Sequence, residues 1–246
     1  MRIFLVWGLV FFSAAVIAGE LRVAVASNFL PALKRLAGDF EKDSGHRLLI
    51  SSGSSGKLFA QIKQGAPYDV FLSADALRPD RLVSDGLAVG DYTYALGRLV
   101  LLSNIVLDEC RDILYSDQLQ RLAIASPRTA PYGRAAKEVL QALGLWQDLQ
   151  AKRVTGENIM QAWQYVATGN AQAGFIAASL LHTGKGSITG CTWEVPADLY
   201  APVRQKLVVL KSAENRAAAT RFLQFMKSPR ARAIIRASGY DVVPVN

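Results

Sequence analysis

Three times along this chain an apolar, strand-like run breaks into small or hydroxyl-bearing residues and a helix-like pattern follows. Two of the breaks carry Ser27-Asn28 and Ser51-Ser52-Gly53-Ser54-Ser55-Gly56. Strand and helix alternating at this spacing specify an α/β fold with parallel strands and crossover helices. Each break then stands at the carboxyl end of a strand and the amino end of a helix. Backbone N–H groups without an intrahelical acceptor collect there, and the helix dipole favours negative charge. The repetition points to a receptor for an oxyanion, held without a charged side chain.

The first series reads as strand Leu21–Ala26, helix to about Asp43 stopped by Gly45, strand Arg47–Ser51, helix from about Lys57 to Gln64, strand Asp69–Ser73, and helix from Ala74 to about Asp85 with Gly86 as its stop. Ser27 or Asn28 is the expected N-cap of the first helix, with Pro31 in its first turn. A long apolar segment, Tyr92–Ser103, comes next, and Val203–Leu210 matches it about a hundred residues later. Between them lies a second series: strand Leu122–Ala125, helix Gly133–Leu143, a short strand near Arg153-Val154, helix Ile159–Thr168 and strand Ala173–Ala177. Two helices, about Glu214–Lys227 and Pro229–Ala237, close the chain. A chain that leaves one α/β unit, builds another and returns implies two lobes joined by two crossing strands. The expected division is 19–97 with 206–246 for one lobe and 98–205 for the other, with a cleft and a hinge between them.

Residues 1–18 have the parts of a secretory signal: Arg2, the apolar run Ile3–Phe12, and small residues leading to Ala18, after which cleavage is expected. No Cys stands near that point, so the expected mature protein is periplasmic and not lipid-anchored. Arg2 is the one charged residue of the segment, leaving 27 Lys and Arg against 20 Asp and Glu. The basic residues are scattered singly or in pairs, which argues against a nucleic-acid surface and fits a solvated one. Cys110 and Cys191 are the only cysteines, and an exported chain either pairs them or buries them as separate thiols. With two Cys and two His, His46 and His182, at no ligand spacing, a bound metal cation is not expected, nor is a cofactor.

Ser51–Gly56 invites comparison with a nucleotide phosphate loop, but the glycine spacing is wrong and Leu58 follows Lys57 where Ser or Thr is required. No G-x-S-x-G elbow occurs, and neither histidine has a nucleophile beside it. Asp69, Asp75 and Asp80 are read as strand-end and cap residues, not as a catalytic pair, so no catalytic residue is assigned. Ala130-Pro131-Tyr132-Gly133 and Glu157-Asn158-Ile159 open helices of the second series and complete the set of candidate anion-facing turns.

Over essentially the whole chain after residue 18, these segments resemble the periplasmic molybdate- and tungstate-binding proteins that serve ABC importers, within the type II periplasmic-binding-protein fold. The resemblance is carried by Val25-Ala-Ser-Asn-Phe29, Ser51-Ser-Gly-Ser-Ser-Gly-Lys-Leu58, Gln61-Ile-Lys-Gln-Gly-Ala-Pro67, Asp69-Val-Phe-Leu-Ser-Ala-Asp75, Ala130-Pro-Tyr-Gly133 and Gly174-Phe175. It implies two lobes, each a mixed, mostly parallel sheet flanked by helices, acting as a monomer that hands molybdate or tungstate to a membrane permease. It implies hydroxyl and amide donors from Ser27 and Ser55 and backbone amides from Tyr132 and Ile159. One branch of the family adds a Tyr hydroxyl where this chain has Ala177; another has an Asn after the first Ser/Thr, and Asn28 is assigned the missing donor on that basis. The alternatives are a sulfate or phosphate receptor of the same fold, or a periplasmic hydrolase of phosphate or sulfate esters.

Overall fold

The computed structural model describes residues 19–183 and 189–243, so the expected signal segment, 1–18, lies outside the described residues. The chain builds two five-stranded sheets. The first has the order β2-β1-β3-β10-β4, from β1 (Glu20–Ala26), β2 (Arg47–Gly53), β3 (Val70–Ser73), β4 (Ala88–Gly97) and β10 (Val203–Leu210). The second has the order β7-β6-β8-β5-β9, from β5 (Leu99–Ser103), β6 (Leu122–Ala125), β7 (Arg153–Gly156), β8 (Ala173–Ala177) and β9 (Cys191–Glu194). In each sheet three strands run parallel (β2, β1, β3; β7, β6, β8) and two more add on antiparallel. This is an α/β architecture of two lobes with closely similar topology.

Alternation explains the first sheet. Leu21, Val23 and Val25 pack against α1 (Leu30–Ser44), α6 (Arg216–Lys227) and α7 (Pro229–Ala237) on one face, with Phe40 and Phe222 meeting edge to face at 5.1 Å. Ala24 and Phe71 turn to the other face, towards Leu58 of α2 (Ser55–Lys63) and Leu82 of α3 (Leu77–Ser84). The second sheet's inner strands β5, β6 and β8 are buried on both faces, beneath α4 (Pro131–Ala142) and α5 (Ile159–Ala167) among others, which is why they read as unbroken apolar runs.

Of the two long apolar segments, the first passes from one sheet to the other and the second lies in the first sheet alone. Tyr92–Ser103 is two strands: β4 ends in the first sheet at Gly97, and β5 begins in the second at Leu99. The return is β10, which pairs with β3 and β4 along its length, yet Val203 packs in the second core while Leu207 and Val209 pack in the first. Gly45 and Gly86 stop their helices with φ of 73° and 71°, a conformation that side chains resist.

Three local readings are corrected. Neither Ser27 nor Asn28 caps α1; the N-cap is Phe29, without a side-chain bond, because Ser27 and Asn28 form the corner of a turn closed by Phe29 N–H to Ala26 O at 2.9 Å. The run Ser51–Gly56 is not an open loop, since β2 continues to Gly53 in register with Ala26, and α2 starts at Ser55, two residues before Lys57. The helix expected from Gly133 begins at Pro131. Among the described residues no helix is long and apolar enough to cross a membrane.

Cys110, in a short 3-10 helix, is disulfide-bonded to Cys191 at the start of edge strand β9, with Cα atoms 5.4 Å apart. The bridge closes a loop of 81 residues of sequence separation and so restrains the unfolded chain strongly. Reduction is expected to lower the unfolding free energy by about 2–4 kcal/mol, read as a lower urea midpoint in reductant than without it.

Candidate functional site

The turn after β1 is fixed by the sheet itself. Ser27 N–H donates to Gly53 O at 3.0 Å, extending the β1–β2 pairing by one bond. That bond consumes the Ser27 amide, so what Ser27 can turn to a guest is its hydroxyl, which makes no hydrogen bond within the described protein. Asn28 follows with a backbone N–H that has no acceptor among the described residues. Its side-chain Nδ2 donates to Gln205 Oε1 at 2.8 Å and to Tyr240 Oη at 3.0 Å, while its Oδ1 is buried without a partner. The donor that Asn28 leaves free is therefore its main-chain N–H, not its carboxamide.

Ser55 is the first residue of α2. Ser54 caps the helix, accepting from Lys57 N–H, and Gly56 N–H donates to Thr129 O at 2.8 Å, so the Ser55 N–H remains unpaired at the helix start. The Ser55 hydroxyl oxygen accepts the Ala74 N–H at 2.9 Å, which directs its own proton elsewhere. From the second lobe, α4 starts with Pro131 after extended Ala130; Gly133 and Arg134 N–H both reach Ala130 O, and Tyr132 N–H is left over. Helix α5 starts at Ile159, with Asn158 as its cap accepting from Gln161 N–H at 3.1 Å, and the Ile159 N–H is left over in the same way.

Ser27, Asn28, Ser55, Tyr132 and Ile159 line one small recess between the lobes, together with Ser54, Ala74 and Ala130. Three helices, α2, α4 and α5, aim their amino ends at it, and none of its lining residues carries a charge. Four backbone N–H groups and two hydroxyls thus surround a space that no carboxylate, lysine or arginine enters. Such a set suits a guest that only accepts hydrogen bonds.

In the layer beneath, the phenols are uncharged and the buried Asp75 carboxylate is paired with arginines. Burial raises the phenols of Tyr94 and Tyr132 well above their ordinary pKa, with neighbouring tyrosines contributing in the same direction, and burial likewise raises that of Tyr240. All three remain neutral throughout the physiological range. Asp75 is buried and accepts from Ser73 Oγ and Arg78 N–H; its other oxygen pairs with Arg78 and, at 3.8 Å, with Arg134 of the second lobe. Asp69 accepts from Arg22 N–H and Glu214 N–H, and Asp80 pairs with Lys206, so these aspartates tie elements together. His46 accepts the Gly19 N–H. Neither histidine lines the recess, and Ala177 is buried within β8. Among the described residues no three His, Cys, Asp or Glu side chains cluster as metal ligands would.

Sequence reasoning missed Gln205, fully buried on β10, whose Nε2 donates to Tyr132 Oη at 3.1 Å beneath the recess. A glutamine at an inward position of a crossing strand was the available signal. It missed the seam contacts as well. Gly56 lies so close to Thr129 that a Cβ would sit 2.9 Å from that residue's Cα and O, and Lys57 pairs across the mouth with Glu157 at 2.8 Å.

Two lobes with a donor-lined, charge-free recess between them define a binding protein for a small solute. The chain belongs to the family of bacterial extracellular solute-binding proteins, whose model matches residues 21–241. It is 46% identical to the molybdate-binding protein ModA of Rhodobacter capsulatus, with 91% of this chain and 88% of that protein aligned. It is 42% identical to ModA of Azotobacter vinelandii over 92% of this chain and 91% of that protein. The solved Azotobacter vinelandii periplasmic molybdate-binding protein superposes with a TM-score of 0.86, covering 92% of this chain and all of the other. The sulfate-binding protein SubI of Mycobacterium tuberculosis, at 15% identity and a TM-score of 0.73, shares the fold.

Gly56→Ala is expected to hold the lobes apart, because its methyl meets the backbone of Thr129 and not a side chain that could move aside. Small-angle scattering should give a larger radius of gyration than the parent protein; identical curves would show that the seam does not set the lobe spacing.

Proposed function

We propose that this chain is the periplasmic receptor of an ABC importer, capturing molybdate or tungstate in the interlobe recess and delivering it to a membrane permease, without catalysing a reaction. The observation that carries this reading is the convergence of unpaired helix-start amides from both lobes, with the Ser27 and Ser55 hydroxyls, on a space free of charged side chains. The relatives named as molybdate-binding proteins, aligned over nine-tenths of the chain, support the choice of guest. Ser27 gives its hydroxyl, Ser55 its hydroxyl and amide, and Asn28, Tyr132 and Ile159 their amides. The protein acts as a monomer, exported by cleavage after Ala18, and needs no cofactor.

A tetrahedral dianion offers four oxygens and no proton, so every donor in the recess finds an acceptor. Each charge-assisted bond contributes about 1.5–3 kcal/mol. Monoprotonated phosphate brings an O–H that would meet only donors, and it is rejected for that reason. Sulfate carries no such proton and is rejected by size, since the larger oxyanion reaches donors on both lobes at once. A hydrolase would need a base beside Ser27 or Ser55, and both histidines lie away from the recess.

Calorimetric titration of the processed protein with molybdate, tungstate, sulfate and phosphate tests this. Tight binding of the first two and weak or no binding of the others is expected; preference for sulfate or phosphate would overturn it. Ser27→Ala and Ser55→Ala should each weaken molybdate binding by roughly tenfold or more, the loss of about 1.5–3 kcal/mol that one charge-assisted hydroxyl donor supplies. Unchanged affinity in both would mean that the guest sits elsewhere.

A further inference from the structure

Beneath the recess, one carboxamide touches both halves of the donor set. Gln205 Oε1 accepts from Asn28 Nδ2 at 2.8 Å and from Tyr94 Oη at 3.1 Å, both in the first lobe. Its Nε2 donates to Tyr132 Oη, in the second lobe. Gln205 stands on the returning strand between Val203, packed in the second core, and Leu207, packed in the first. The β10–β4 register shifts at this point: Gln205 pairs with Ala95 and Lys206 with Thr93, so Tyr94 is the extra residue of a bulge, beside the carboxamide it bonds. Tyr240 completes the hold on Asn28, accepting from its Nδ2 and donating to its carbonyl oxygen at 2.8 Å.

The other crossing is shaped around the same contact. Gly97 ends β4, and a Cβ there would fall 2.0 Å from Tyr132 Oη and 2.7 Å from Gln205 Nε2. Both crossings between the lobes therefore converge on the Gln205–Tyr132 bond.

We infer that Gln205 is a positioning residue that couples closure of the lobes to the geometry of the recess, by fixing Asn28 and Tyr132 to one carboxamide. The inference rests on the oxyanion reading above. Gln205 does not line the recess; it acts through the two residues whose main-chain N–H groups do. Parting the lobes takes Tyr132 Oη away from a buried Nε2, and an unpaired buried donor is costly, so partly open arrangements are penalised. The recess is then held in register or released as a unit, and the consequence falls on the rate of guest release.

The test is stopped-flow fluorescence with molybdate on the parent protein, Tyr132→Phe, Gln205→Met and the double variant, with thermal unfolding of each protein measured alone. Tyr132→Phe removes one oxygen and keeps the main-chain N–H at the recess. Each single substitution is expected to speed molybdate dissociation about tenfold with association changed less than twofold, and the double variant is expected to be no faster than the faster single. A lower unfolding temperature with dissociation unchanged would make the bond purely structural and overturn the inference, as would independent, multiplying effects in the double variant. Should Gln205→Met not fold, the dissociation rate of Tyr132→Phe decides alone. A parent protein that binds no molybdate would overturn the reading of the recess itself, an outcome separate from parent-like rates in the variants.

Discussion

Helix starts carry backbone N–H groups that the helix cannot satisfy, and the rest of this structure is arranged around where those groups point. At α2, α4 and α5 part of the need is met locally: Ser54 and Asn158 cap, and Ala130 O takes two amides. Of the amides that remain, those of Ser55, Tyr132 and Ile159 gather with the Asn28 amide around one neutral recess. Leaving buried donors unpaired costs about 1–3 kcal/mol each, so their convergence makes sense as preparation for a guest made of acceptors. The dipoles of three helices add in the same direction, and the protonated phenols below do not oppose them.

The lobes are held at the distance this requires by buried contacts more than by surface charge. Lys57–Glu157 closes the mouth, but both side chains are well exposed, and exposed pairs contribute little. Deeper, Gly56 N–H meets Thr129 O, Asp75 is shared by arginines of both lobes, and the Gln205 carboxamide spans from Asn28 to Tyr132. Polar networks of this kind are sensitive to geometry because a broken member is left unsatisfied in a low-dielectric interior. That sensitivity suits the proposed discrimination of guests by how far their oxygens reach.

Much of the fold was legible because period and punctuation agree. Strands β6 and β8 have the expected bounds, α5 and α7 begin at the expected residues, and Gly45 and Gly86 end their helices as expected. What was not legible depended on partners distant in sequence. Strand β9, Cys-Thr-Trp-Glu, is a short half-buried edge whose alternation spans only four residues, so it is defined by pairing with β5 and by the bridge to Cys110. Ser27 and Asn28 have the composition of caps, yet the parallel register with β2 takes the Ser27 amide and makes the pair a turn corner. Ser52 and Gly53 read as loop, and the neighbouring strand β1 makes them a strand.

The sequence by itself determined that strands end in hydroxyl and small residues at helix starts, because propensity and capping are local, and hence that an acceptor-rich anion could be held there. Only the tertiary structure decided which donors remain free. Whether an amide is spent depends on which strand or lobe lies opposite, as Gly53 O shows for Ser27 and Thr129 O for Gly56. It also decided that Gln205, unremarkable in its strand, joins the two halves, since a hydrogen bond across 73 residues to Tyr132 exists only once both crossings are in place.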